Sequence, residues 1–173
     1  AIIIEDKTGL KKNSLFGNEV KQQQASVDEF CYKIEAGKKA QITNDFMIIA
    51  RIESLICGKD INDAIMRAKI YVEAGADGIM IHSKEKSGSD IKEFCIKFRE
   101  INTTTPIVVV PTTYNHINED ILESWGINIV IYANHMLRAA YPAMIKAAAP
   151  IIGGINCPPD EAAASTAPAK QGR

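Results

Sequence analysis

The chain has 173 residues, 46% hydrophobic and 24% charged, which is enough to bury one substantial core as a single domain. Twenty Lys and Arg against twenty-one Asp and Glu give a formal charge of -1, so no global field recruits nucleic acid or an anionic membrane, and any anion must be bound locally. No apolar run approaches the ~20 residues of a membrane span. No signal-like stretch opens the chain, and Cys31, Cys57, Cys95 and Cys157 are too widely spaced for a zinc site or a disulfide framework; a reducing cytoplasm is the expected location.

Taken in order, Ile2 to Ile4 is a β-branched run without polar alternation, the pattern of a strand buried on both faces, and it runs straight into Glu5, Asp6 and Lys7. The next stretch, Thr8 to Gln24, is long for a βα connection and carries Gly9, Lys11, Lys12, Asn13, Ser14 and Gly17, so it reads as a lid, with a solvated surface loop as the alternative. Val27, Phe30 and Ile34 have helical spacing. Phe46 to Ala50 is a second strand, followed by Arg51 and Glu53. Asp60 or Asn62 can cap a second helix along Ile61, Ile65, Ala68 and Val72, and Gly75 can end it.

Gly78 to Ile81 is the third strand, followed by His82, Ser83 and Lys84; Ser89 or Asp90 then opens a helix with Ile91, Phe94 and Phe98 on one face. Ile107 to Val110 leads to Pro111, Thr112 and Thr113, a helix follows along Ile117, Ile121 and Leu122, and Ile127 to Ala133 ends at Asn134 and His135. The rhythm is β-α repeated about five times, the signature of a parallel α/β fold. Past Ala147 the composition turns to Ala, Pro and Gly, so the expected domain is 1-149 and residues 150-173 read as a flexible tail.

In parallel α/β folds the carboxyl ends of the strands form the active face, so the polar groups after each strand are expected to converge. Singly, each has an ordinary surface or ion-pair role. Together, Arg51, His82 and the lysines of the long loop supply donors for a small anion, and a nearby carboxylate supplies an anchor for a divalent cation. No G-x-G-x-x-G follows any strand, which speaks against a dinucleotide site.

The strings "IEDK", "KKNSL", "IARIESLICG", "DAIMRAKIYVEAGADGIMIHSK", "VVVPTTY" and "IVIYANHMLRA", in that order, resemble the phosphoenolpyruvate mutase branch of the isocitrate lyase superfamily. The resemblance implies a (β/α)8 barrel of TIM type, incomplete here at about five β-α units corresponding to strands four to eight. It implies interconversion of phosphoenolpyruvate and phosphonopyruvate, an isomerase reaction of phosphonate biosynthesis that depends on Mg2+. By the same resemblance Glu5 belongs to the metal site and acts through coordinated water. Lys11, Asn13 and Ser14 belong to a loop that closes over the substrate, Lys11 and Ser14 as binding groups and Asn13 as a catalytic one. Arg51 and His82 hold the phosphoryl group and substrate oxygens.

The related lyases carry a Cys-Gly-His signature where this chain has Asn13-Ser14-Leu15, which argues against a lyase, and the asparagine favours a mutase over the phosphonopyruvate hydrolase alternative. The family's earlier strands, with a Trp-Ser region and the magnesium-binding aspartates, have no counterpart in this sequence. The expectation is a fragment of a longer gene product; completion by another chain, or a non-catalytic phosphonate-binding remnant, are the alternatives. Family members are homo-oligomers, and the Ala/Pro tail stands where their C-terminal helical region packs on neighbouring subunits.

Overall fold

A computed structural model describes residues 1–9 and 22–152. Its centre is a five-stranded parallel sheet of β1 (Ile2–Glu5), β4 (Ile48–Ile52), β5 (Gly78–Ile81), β6 (Ile107–Val109) and β7 (Ile129–Val130), in that spatial order. A short antiparallel pair, β2 (Lys7–Thr8) with β3 (Gln23–Gln24), stands at the carboxyl end of β1. The helices α1 (Val27–Ala40), α2 (Ile61–Glu73), α3 (Ser89–Ile101) and α4 (Glu119–Ser124) link successive strands of the sheet. Sequential parallel strands joined by helices form an arc of a (β/α) barrel.

Register decides which side chains meet. Glu5 lies opposite Arg51, Arg51 opposite Met80, and Met80 opposite Val108. Because side chains alternate across a strand, one face carries Ile4, Ala50, Ile52, Ile79, Ile81, Ile107 and Val109, which pack with Phe30, Ile34, Tyr71, Phe94 and Phe98 of the helices into the main core. Fully burying each of these large side chains contributes about 1.5–3 kcal/mol. The other face carries Ile49, Met80 and Val108, with Met47, Val110 and Ile131 beside them, and it continues upward into Glu5, Arg51 and His82.

The central strands β4, β5 and β6 are buried on both faces, as their continuous apolar runs require, whereas Ile2 and Ile3 of β1 are exposed at the sheet edge. Asp60 caps α2 by accepting from the Asp63 amide at 2.9 Å, and Gly75 follows that helix at a φ of 105°. Helix α3 begins at Ser89 as expected, but neither Ser89 nor Asp90 caps it: the cap is Gly88 at a φ of 77°, with no capping side chain of its own. Glu85 does that work from outside the helix, its carboxylate accepting from the Ser89 amide at 3.2 Å.

Residues 1–131 form one compact unit and the chain from Tyr132 a second. The described part of the second is mainly one helix, α5 (His135–Ile152), which contains Pro142 and Pro150. The strand expected over 127-133 is confined to Ile129–Val130, and α5 runs two residues beyond the position where the tail was expected to begin. A stretch of Ala, Met, Leu and Lys has the intrinsic propensity to stay helical despite its prolines. Lys11, Asn13 and Ser14, with most of the expected lid, lie outside the described residues, as does the chain after Ile152. Among the described residues no helix is long and apolar enough to cross a membrane.

Candidate functional site at the carboxyl ends of the strands

The inner face of the sheet ends in a cluster of opposite charges. Arg51 Nε donates to Glu53 Oε1 at 2.6 Å, and Lys7 Nζ stands 3.1 Å from Glu53 Oε2. Glu5 Oε2 is 3.7 Å from Arg51 Nη2 and 3.8 Å from Lys7 Nζ. The Glu53 side chain is fully buried, while those of Glu5 and Arg51 keep some contact with solvent. Among the described residues, the two cations Lys7 and Arg51 face the two carboxylates Glu5 and Glu53. The carboxylates fix the cations in place, and Glu5 and Arg51 each keep part of the side chain in contact with solvent.

His82 follows β5 two residues after Met80 and so leaves the strand on the inner face, and it is buried. Burial, and then the positive field of Arg51, with smaller contributions from Lys7 and Lys84, hold its imidazole far below the ordinary range, down to about 4; Glu53 opposes them. At neutral pH this histidine is uncharged and offers one N–H donor and one acceptor nitrogen rather than a cation. Its backbone support is local: Ser83 Oγ donates to Asp90 Oδ2 at 2.8 Å, and Thr113 Oγ1 donates to the Ser83 carbonyl at 3.2 Å. The loop after β6 thereby braces the loop after β5.

Glu5, Arg51 and His82 are thus brought to one face and one end of the sheet. Asp6 is not. The expectation that all polar groups after β1 share a side fails at this residue, because Asp6 turns toward the helices and is fully buried there. Its Oδ1 accepts from the Glu53 amide at 2.9 Å, and its Oδ2 accepts from Tyr71 Oη and Gln24 Nε2, each at 2.8 Å, and from Arg67 Nη1 at 3.3 Å. Burial pushes the Asp6 carboxyl above its ordinary range, and these donors pull against it.

Two residues of the rim were not picked out from sequence as site residues: Glu53 and Lys7. The signal existed, since Glu53 lies two positions after Arg51 and Lys7 two after Glu5, which is strand periodicity continued past the strand ends. A metal is a separate question. Among the described residues no group of three His, Cys, Asp or Glu side chains could hold an ion. Mg2+ keeps several waters and is commonly held through one or two carboxylates, and the partly open Glu5 fits a single contact of that kind through water.

Comparison with known proteins gives one consistent result. A family model described as phosphoenolpyruvate phosphomutase matches residues 1–152. The chain is 41% identical over 143 residues to a phosphoenolpyruvate phosphomutase of Tetrahymena pyriformis, covering 83% of this chain and 46% of that protein. It is also 41% identical over 145 residues to a phosphonopyruvate hydrolase of Variovorax sp. (strain Pal2), covering 83% of this chain and 49% of the relative. Its fold superposes on the crystal structure of a phosphoenolpyruvate phosphomutase from Streptomyces platensis subsp. rosaceus with a TM-score of 0.81 and 42% identity, over 88% of this chain and 52% of that one. The chain spans about half the length of the curated relatives it matches.

Proposed function

Since the chain belongs to the phosphoenolpyruvate phosphomutase family, we propose that it supplies the phosphoryl-holding half of a Mg2+-dependent active site that interconverts phosphoenolpyruvate and phosphonopyruvate. The observation that carries this reading is the Glu53 carboxylate clamped between Arg51 and Lys7, beside Glu5 and on the face of neutral His82. Phosphoryl transfer passes through a loose, metaphosphate-like state whose charge is spread over three oxygens, so catalysis there consists of fixed donors and positive charge. Arg51 offers a planar fork to two of those oxygens, and His82 offers a neutral N–H that needs no counter-ion.

In the direction from phosphonopyruvate, the carbon–phosphorus bond breaks and its electrons pass into the pyruvate enolate, whose oxygen then takes the phosphoryl group. When bound, Mg2+ would stabilise the enolate charge, with Glu5 as its water-mediated protein contact. Lys11, Asn13 and Ser14 complete this reading as groups of the loop that covers the substrate, Asn13 being the one on which transfer depends and Lys11 and Ser14 holding oxygens. The partner in this reading is the small-molecule substrate, with nucleic acid and membrane having no part in it, and the cytoplasm is the compartment that suits it.

A second reading has equal sequence support. Identity to the Variovorax hydrolase is the same 41%, and the hydrolase chemistry would send the phosphoryl group to water, leaving pyruvate and orthophosphate. Asn13 favours the mutase. One experiment separates the readings: phosphorus NMR of phosphonopyruvate incubated with Mg2+ and the protein expressed from its complete coding sequence. A phosphate-ester signal supports the mutase, orthophosphate with equimolar pyruvate supports the hydrolase, and an unchanged phosphonate signal overturns both.

A further inference from the structure

Behind the rim, on the helix side of the sheet, five side chains close a ring of hydrogen bonds. Gln24 Nε2 donates both to Asp6 Oδ2 at 2.8 Å and to Ser54 Oγ at 3.0 Å. Ser54 Oγ donates to Asp63 Oδ2 at 2.6 Å, the same oxygen accepts from Arg67 Nε at 2.9 Å, and Arg67 Nη1 returns to Asp6 Oδ2 at 3.3 Å. The ring joins the end of β1, strand β3, the turn after β4 and the first half of α2. Its members Asp6, Ser54 and Arg67 are buried.

The ring has two outlets toward the rim. Asp6 Oδ1 holds the backbone amide of Glu53, the residue that clamps Lys7 and Arg51. Gln24 sits in β3 directly opposite Lys7 of β2, and the Asp6 backbone donates to the Arg51 carbonyl at 3.0 Å while its own carbonyl accepts from the Ala25 amide at 2.8 Å. Asp6 therefore ties both ends of the excursion between residues 7 and 24 to the carboxyl end of β4. The orientation of the Gln24 amide is dictated as well: a flipped amide would put its oxygen against the Asp6 carboxylate.

We propose that Asp6 and Gln24 are positioning residues, which set where Lys7 and Glu53, and through Glu53 the Arg51 guanidinium, stand around the phosphoryl group. The proposal rests on the functional reading above for its catalytic consequence but not for its structural one. A shift of about 1 Å in such groups costs on the order of a hundredfold in rate.

Two variants test it in the protein expressed from its complete coding sequence: Asp6→Asn, nearly isosteric but unable to accept from all its donors, and Gln24→Ala, which opens the ring at its partly exposed link and keeps the chain testable should the first fail to fold. Two readouts are used: steady-state kinetics with phosphonopyruvate, and the rate at which an amine-reactive reagent labels Lys7 relative to Lys38, which pairs with Asp77 far from the ring. Positioning predicts a kcat loss of about ten- to a hundredfold that exceeds any rise in KM, together with faster labelling of Lys7 alone. A change in KM alone, unchanged kinetics, or equal acceleration at Lys7 and Lys38 overturns the proposal. Should the unsubstituted protein show no turnover, the functional reading fails by itself and Lys7 labelling decides: selective acceleration supports the ring's role, and unchanged labelling overturns it.

Discussion

Glu53 and Arg51, two positions apart where β4 ends, meet at 2.6 Å with the carboxylate wholly buried, and the same carboxylate reaches Lys7 through its other oxygen. A buried anion shared by two cations contributes little compared with a well-packed apolar group, but neutralising it leaves a partly buried cluster with its charges unbalanced. Glu53→Gln is therefore expected to destabilise the chain by about 3 kcal/mol. Urea unfolding at neutral pH, with an unchanged slope and a lower midpoint, checks this; a midpoint equal to that of the parent protein would mean that the other partners of the two cations suffice.

His82 gives the fold a dependence on acid. Its folded pKa, about 4, lies below the unfolded value near 6.5. Between those two values the unfolded chain binds a proton that the folded chain does not. The stabilising contribution is thus complete above about pH 6.5 and falls as pH drops toward 4, by about 1.4 kcal/mol per unit. His82→Gln, which cannot titrate, should flatten the pH dependence of the unfolding midpoint between pH 7 and 4.5. An unchanged slope would place the titrating group elsewhere.

Substrate affinity should depend on the shape of Arg51 as well as on its charge. Calorimetry with phosphonopyruvate is expected to show at least about a tenfold loss for Arg51→Ala and most of that loss for Arg51→Lys, because an ammonium cannot reproduce the planar fork. Full retention by the lysine variant would reduce the residue to a point charge.

Gly88 is a position where a side chain cannot be added cheaply. Its φ is 77°, and a Cβ there would overlap Ile117 Cδ1. Gly88→Ala should cost about 1–3 kcal/mol from backbone strain, and the displaced loop should loosen the Ser83 bonds beneath His82. Thermal unfolding measures the first effect, and hydrogen exchange at the Glu85 amide, which donates to Ser83 Oγ at 3.0 Å, measures the second.

Strand order and the two-sided burial of β4, β5 and β6 were legible because continuous β-branched runs leave few other choices. Convergence of Glu5, Arg51 and His82 was legible from position alone, since each lies at or just past a strand end in a parallel sheet. The direction of Asp6 was legible too, since it continues the alternation of β1 to the helix side opposite Glu5; expecting every polar group after the strand on one side passed over that alternation. The ring through Gln24, Ser54, Asp63, Arg67 and Asp6 was hidden: its members lie up to 61 positions apart, and a buried arginine inside a helix looks in sequence like any solvated one. The cap of α3 was misread for a similar reason, since its acceptor comes from Glu85, outside the helix.

Successive side chains of β4 leave the strand on opposite sides, so the count of residues from Met47 to Glu53 is itself a chemical quantity. Deleting one of those before Arg51 would hand the places of Arg51 and Glu53 to Ile52 and Ser54 and drive charge into the oily layer beneath the helices. The turn from Gln41 to Phe46, at the other pole of that strand, has no such restriction: Ile42 is 98% exposed there. Insertions and deletions in the lineage of this protein should accordingly collect at the foot of β4 and be absent from its crown.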